Sequence, residues 1–186
     1  MFVLKKRRLS IEEYKNTEGS YTIIINNVRY QKNFTDVVGK IVKHFLVDDE
    51  VFFGFYRTDG VNLTLHQQMK LEKEIPAFFQ KKGEMQELST YLTVARIDSN
   101  DEDYSFIPAI FDYYLETIMF NPEVDWEFFK RYYYNYQNYR LDDIIYNHLA
   151  EMLVCYFDSG DLSICFNPQK YNSVEVRSKI KEFIGV

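Results

Sequence analysis

Histidine, cysteine and clustered carboxylate side chains are the residues of this chain that could do chemistry. The three histidines, His44, His66 and His148, lie far apart, and no HxxxH or CxxC spacing accompanies them. Zinc sites are built from closely spaced His and Cys ligands, so this spacing argues against zinc. A histidine on the apolar stripe of a helix, where the pattern places His148, is more typical of a core residue than of a catalytic base. A site that joins His66 or His148 to a distant carboxylate stays open, because spacing in sequence does not exclude it.

Other familiar site motifs are missing from the sequence. The segment from Asp98 to Asp103 is rich in oxygen ligands, which calcium prefers. Its sixth position is Asp103 instead of the glycine of a calcium loop, and its twelfth is Ala109 instead of glutamate. The chain has no GxGxxG, GxxxxGK[ST] or GxSxG sequence, so phosphate-loop nucleotide binding and serine hydrolase chemistry have no support. The sequence therefore predicts no cofactor and no metal.

The most unusual stretch runs from Ile97 to Phe129, where lysine and arginine are absent. It contains nine carboxylates, namely Asp98, Asp101, Glu102, Asp103, Asp112, Glu116, Glu123, Asp125 and Glu127. Five tyrosines follow directly, at Tyr132, Tyr133, Tyr134, Tyr136 and Tyr139. Acid attracts a basic partner and tyrosine anchors protein interfaces, so this region is the candidate partner-binding surface.

Helical spacing divides these tyrosines into two sets. Tyr132, Tyr136 and Tyr139 fall on one stripe, whereas Tyr133 continues the face of Trp126 and Phe129. If the Tyr133 set is core, the Tyr132 stripe is at least partly exposed. A crowded helical subdomain that buries both sides is the alternative.

A solvated acidic face is the rival explanation of the carboxylates. Glu123 and Asp125 lie in the first turn of a predicted helix, where the helix dipole stabilises negative charge. Asp112 and Glu116, predicted at positions i and i+4 of one helix, instead repel each other by about 0.2–0.5 kcal/mol. This pair, next to the acidic loop before it, indicates a local negative field.

Composition restricts the class of protein. The 186 residues, 46% hydrophobic, are sized for one globular domain. Net charge is -6, but residues 1–44 contain nine basic and four acidic residues, and the rest of the chain is strongly acidic. Acidity argues against nonspecific nucleic-acid binding, which depends on neutralised phosphates. The first residues show no apolar signal-peptide region and no stretch is long enough to span a membrane, so we expect a cytoplasmic protein.

Hydrophobic periodicity predicts strands and hairpins. They lie at about 20–31, 51–66, 90–97 and 152–166. In the last hairpin, Ser159-Gly160 as a two-residue turn would oppose Cys155 to Ile164. Cys155 and Cys165 would then face away from each other and form no disulfide.

Helical patterns occupy most of the remaining chain. A capping box of Ser10 and Glu13 predicts a short helix ending near Gly19, and Asn172 caps a final helix. Further helices are predicted at 34–46 and across 105–150, where one stripe reaches from Ile107 to Ile118. The segment 70–83 is ambiguous, with Pro76 in a plausible first turn. The expected fold is α+β with a mainly antiparallel sheet, in a single domain over 1–186 with 105–150 as a possible helical subdomain.

These observations favour binding over catalysis. The first hypothesis is a stoichiometric inhibitor, of the immunity, antitoxin or phage-antagonist type, that covers a basic face of a partner protein. Its expected contact residues are Asp98, Asp101, Glu102, Asp103, Asp112, Glu116, Tyr132, Tyr136 and Tyr139. The alternatives are an enzyme with a dispersed histidine and carboxylate site, and a nucleic-acid or nucleotide binder that combines stacked tyrosines with the Lys5 to Arg8 run.

Overall fold

One antiparallel sheet of eight strands organises the part of the chain that the structure describes. The computed structural model describes residues 8–16, 19–46, 50–56, 64–98, 110, 116–135, 141–157 and 159–185. The strands are β1 (Ser10–Lys15), β2 (Tyr21–Asn26), β3 (Glu50–Tyr56), β4 (Gly83–Glu87), β5 (Leu92–Asp98), β6 (Glu116–Phe120), β7 (Met152–Phe157) and β8 (Leu162–Phe166). Their order across the sheet is β1-β2-β8-β7-β6-β3-β5-β4, and each neighbouring pair is antiparallel.

Helices pack on both faces of this sheet. They are α1 (Phe34–Phe45), α2 (Leu65–Met69), α3 (Ile75–Lys82), α4 (Trp126–Asn135), α5 (Leu141–Tyr146) and α6 (Ser173–Ile184). A π-helical segment, Lys70–Glu74, joins α2 to α3. Within the described ranges, no helix combines the length and the apolar composition needed to cross a membrane.

Two hydrophobic cores follow from this layering. On the α1 face, Val38, Phe79 and Ile180 from α1, α3 and α6 pack against the sheet. On the α4 face, α4 and α5 cover side chains such as Phe52 and Leu153. Strands β7 and β8 are apolar along nearly their whole length because both of their faces are buried.

The α+β class with a mainly antiparallel sheet, predicted from the sequence, is confirmed. Helix α1 lies where its apolar spacing placed it, and α4 buries Trp126, Phe129 and Tyr133 as predicted. The Asn172 side chain caps α6 by accepting a hydrogen bond of 2.9 Å from the Val174 N–H. The local sequence patterns of these helices are strong enough that tertiary contacts do not override them.

Three predictions for the first 70 residues are wrong. The segment 10–15 is strand β1 instead of a helix, because its alternating side chains pair with β2. The second arm of the hairpin at 20–31 is a 3₁₀ turn, Val28–Tyr30, that follows Asn27 in a left-handed conformation. Leu65 and His66 begin α2 instead of ending a hairpin strand, and β3 pairs with β5 and β6.

The helical stripe predicted as far as Ile118 is also wrong in its last part. Ile110 is helical and buried, but 116–120 is strand β6, held between β3 and β7. Long-range pairing on both sides overrides the helical pattern, because β structure depends on neighbours supplied by distant sequence.

The last hairpin forms, but its register differs by one residue from the prediction. Cys155 opposes Ser163, and Leu153 opposes Cys165. The connection therefore has three residues, with Gly160 at φ 88° closing the loop. A shift of one residue moves the side chains of one strand to the other face of the sheet relative to its partner strand. Both cysteines therefore lie on the α4 face instead of opposite faces. Both are buried free thiols.

Candidate partner-binding surface

Most residues of the predicted acidic surface lie outside the described ranges. Asp101, Glu102, Asp103, Asp112, Tyr136 and Tyr139 are among them. Asp98 is the last residue of β5. For these positions the predicted surface stays a prediction. Glu116 and Tyr132 are the candidates whose side chains the structure describes.

Glu116 has a different setting from the one predicted. It begins strand β6, where it pairs with Tyr56 and Phe157, and its side chain is half-buried on the α4 face. The Cys155 thiol donates to its carboxylate, with Sγ and Oε1 3.7 Å apart. Burial raises the pKa of Cys155 well above the usual thiol value, and the negative charge of Glu116 acts in the same direction. Glu116 is therefore a strand residue whose carboxylate contacts a buried thiol, and it does not occupy the helical position predicted for it.

Tyr132 and Tyr133 differ in burial as helical spacing predicted, whereas Tyr136 and Tyr139 of the predicted stripe lie outside the described residues. Tyr133 is 1% exposed, whereas Tyr132 is half-buried at the edge of the helix. The Tyr132 ring stacks on Phe128, with 6.4 Å between centroids, and its hydroxyl accepts a hydrogen bond of 3.4 Å from Asn147 Nδ2. Burial raises the pKa of Tyr132, the Asn147 hydrogen bond lowers it, and the charge of Asp143 raises it.

Exposed aromatic side chains lie on both α4 and α5. Phe128 is 43% exposed and Tyr146 is 59% exposed, and Asn147, which follows Tyr146 in the chain, donates to the Tyr132 hydroxyl. We call Phe128, Tyr132 and Tyr146 the aromatic patch. Sequence reasoning missed Phe128 and Tyr146, although the i, i+4 spacing of Phe128 and Tyr132 was a usable signal.

Charge differs between the two helical layers. On the α4 face, segments 121–135 and 141–150 contain five carboxylates and two cationic side chains. Both cations have local contacts: Lys130 Nζ lies 2.7 Å from Glu127 Oε1, and Arg131 Nε donates to the Glu127 carbonyl at 3.3 Å. On the α1 face, the helices α1, α2 to α3 and α6 contain nine lysines and arginines and five carboxylates. Among the described helices, the aromatic patch thus belongs to the layer in which carboxylates outnumber cations.

The three histidines occupy separate elements. His44 is in the last turn of α1, where its ring contacts Phe45 and Phe183. His66 is exposed in α2. His148 was predicted on an apolar helical stripe, but it is exposed beyond the end of α5 with φ 59°. In the described part of the chain, no three His, Cys, Asp or Glu side chains are grouped as a metal site requires.

The run from Lys5 to Arg8, on which the nucleic-acid alternative depends, is described only at Arg8. That this run shares a face with the tyrosines, as the nucleic-acid alternative requires, stays a prediction. Comparisons of the chain with protein-family models, with curated proteins and with solved structures found no match.

Proposed function

We propose that this protein is a stoichiometric binding protein that covers a basic face of a partner protein with its α4 and α5 surface. The observation that carries the proposal is an exposed aromatic patch within a layer where carboxylates outnumber cations. Aromatic side chains are enriched among interface anchors, and a field of one sign accelerates encounter with a partner of opposite sign.

Inhibition is the action we propose for this binding. A small inhibitor of the immunity, antitoxin or phage-antagonist type needs a rigid surface and fast association, and no chemistry of its own. The eight-stranded sheet provides a rigid base for α4, whose inner side chains Trp126, Phe129 and Tyr133 are buried. The proposal includes a cytoplasmic location, because free thiols such as Cys155 and Cys165 are typical of a reducing compartment.

Variants of the aromatic patch test this proposal better than variants of Glu116. Glu116 is half-buried and accepts from Cys155, so a lysine there would disturb the sheet. Phe128 and Tyr146 project from helices and can be shortened with little effect on the core. Tyr91, 40% exposed between β4 and β5, provides a matched aromatic control.

The experiment captures a partner from an extract of the source cell on the purified chain and then measures the kinetics of the isolated complex. We expect a complex of fixed stoichiometry whose association slows as salt rises, because screening weakens electrostatic attraction. Phe128→Ala with Tyr146→Ala should weaken binding at least about tenfold, the scale of a lost interface anchor. Tyr91→Ala should bind like the wild type.

Two results would contradict the proposal. One is the absence of a captured protein across several growth conditions. The other is a partner that binds the double variant as tightly as the wild type, while circular dichroism shows that both are folded. Turnover of a small molecule or retention of nucleic acid in place of protein would favour the enzyme or nucleic-acid alternative.

A further inference from the structure

Strand β1 lies at one edge of the sheet and contributes little to the core. Within the described residues it pairs with β2 alone, and none of its side chains is fully buried. Ile11 is the apolar side chain of β1 that packs against the core of the α1 face. Segments with few buried apolar contacts open locally at a lower free energy than the whole domain. We therefore expect β1 to detach from the sheet more easily than β2 does.

A polar clamp joins this edge strand to another layer of the molecule. Glu13 Oε1 lies 2.7 Å from Arg177 Nε on α6, and the Tyr21 hydroxyl on β2 donates to Glu13 Oε2 at 2.6 Å. Both carboxylate oxygens of Glu13 therefore have a donor. Helix α6 is fixed to the core through Val176 and Ile180, so the clamp ties β1 to a part of the fold that the β1–β2 ladder does not reach.

The strand that β1 covers has a different composition. Strand β2 contains no charged side chain, and Thr22 to Ile25 are all β-branched. Strand β1, in contrast, contains Glu12, Glu13 and Lys15. An uncharged, β-branched strand without proline pairs readily with another chain when its edge is open, whereas charged side chains oppose such pairing. The charged strand thus covers an edge that would otherwise be prone to association.

Charge also determines which edge a second copy of the chain can use. Antiparallel pairing of two β2 strands brings no like charges together, because β2 has no charged side chain. Antiparallel pairing of two β1 strands in the centred register would place Glu12 of one copy opposite Glu13 of the other. Like charges directly opposite each other destabilise a sheet. A second copy is therefore disfavoured at the closed edge and favoured at the open one.

We propose that β1 is a releasable edge strand, held closed by the Glu13 clamp, whose release lets β2 pair with β2 of a second copy of this chain. Such a contact is isologous, because both copies contribute the same surface. Since association consumes the open state, weakening the clamp favours the dimer. This inference does not depend on the proposed binding function, which concerns α4 and α5 on the other face of the sheet.

Amide exchange can detect the release, because successive amides of β2 donate to different neighbours. The Asn16 N–H donates to the Ser20 carbonyl at 2.9 Å, which sets the alternation of hydrogen-bonded pairs along β1 and β2. The amides of Ile23 and Ile25 then bond to β8. The amides that bond to β1 are those of Thr22, Ile24 and Asn26. Release of β1 exposes this last set and leaves Ile23 and Ile25 protected.

The first experiment measures hydrogen exchange by NMR for the wild type and Glu13→Gln. The variant keeps the size of the side chain but removes the charge that pairs with Arg177. We expect Thr22 and Ile24 to exchange at least about threefold faster, the scale of one lost charged contact, with Ile23 unchanged. Glu182→Gln is the matched control, because it removes the 2.9 Å pair with Lys179 elsewhere on α6 and should leave β2 unchanged.

The second experiment measures the molecular mass of both proteins over a concentration series by light scattering. Glu13→Gln should form dimers at lower concentration than the wild type or Glu182→Gln. Adding Ile24→Lys to Glu13→Gln places a charge in β2 and should restore the monomer, with circular dichroism confirming that the double variant is folded.

Three results would overturn the proposal. One is exchange at Thr22 and Ile24 that is the same in Glu13→Gln and the wild type. Another is equal acceleration of Ile23 and Ile25, which would mean a loss of global stability instead of the release of one strand. The third is a Glu13→Gln variant that exchanges faster but associates no more than the wild type.

Discussion

At the scale of single residues, Gly54 permits the close approach of α4 to the sheet. A Cβ atom at this position of β3 would lie 2.7 Å from two ring carbons of Tyr133 and 2.9 Å from Ile118 Cγ1. Tyr133 is 1% exposed and packs against Phe129, with 5.5 Å between ring centroids. Because the ring is buried and packed against Phe129, the absence of a side chain at Gly54 allows this short distance between helix and strand.

We therefore expect Gly54→Ala to lower the free energy of unfolding by about 1–3 kcal/mol, the usual cost of overpacking a core. Gly39 in α1 is the matched control, because a Cβ there meets nothing within 4 Å. Gly39→Ala should raise the free energy of unfolding by about 0.5–1 kcal/mol through helix propensity. Urea unfolding measures both. Equal stability of wild type and Gly54→Ala would show that Tyr133 can shift.

At the scale of elements, the three-residue loop between β7 and β8 determines which side chains share a core. The Phe157 N–H donates to Asp161 at 3.1 Å, and the Gly160 N–H donates to Phe157 at 2.9 Å. Gly160 completes this loop with φ 88°, a common arrangement for three-residue hairpins. The loop brings Cys155 and Cys165 to the α4 face and Tyr156 to the α1 face.

Substitutions at Gly160 should show this dependence. Gly160→Ala should lower the free energy of unfolding by about 1–2 kcal/mol, because alanine is strained at positive φ. Gly160→Asn should cost less, because asparagine adopts this conformation more easily while it also introduces a Cβ. Thermal or urea unfolding compares the two. Both variants place a Cβ 3.2 Å from Arg29 and Tyr30, so an asparagine variant less stable than the alanine variant would indicate that crowding by the rest of the asparagine side chain outweighs the relief of backbone strain.

At the scale of the whole molecule, burial on both faces of the sheet controls the titration of Cys155. This residue is 0% exposed between the central strands and α4. Burial raises the pKa of its thiol well above the usual value, so the folded protein keeps the proton at a pH where the unfolded chain has lost it. Above about pH 8.5 the unfolded state binds fewer protons, and the free energy of unfolding must fall as pH rises.

Above about pH 8.5, we expect this thiol to contribute a fall of up to about 1.4 kcal/mol per pH unit. Urea unfolding at several pH values would measure the slope for the wild type and for Cys155→Ala. The variant should be less stable at pH 7, because it leaves a small cavity, but its stability should fall less steeply with pH. Parallel slopes would mean that the Cys155 thiol ionises equally easily in both states.

Local sequence patterns were sufficient to predict several elements. Helical periodicity placed α1 and the inner face of α4, the Asn172 cap marked the start of α6, and strand patterns gave the α+β class. These predictions succeeded because a helix makes its backbone hydrogen bonds within one segment, so its pattern is complete in the local sequence.

The pairing of strands and the composition of the candidate surface depend on contacts between distant parts of the chain. Strands β1 and β6 formed where helices were predicted, because each found partner strands from distant parts of the chain. The hairpin loop that ends at Gly160 has three residues instead of the predicted two. This difference sets the register and therefore the side chains that lie on each face. A small cleft at the end of α5 combines residues around positions 20, 146 and 168. These residues come together because the sheet packs distant segments of the chain side by side, which no single segment encodes.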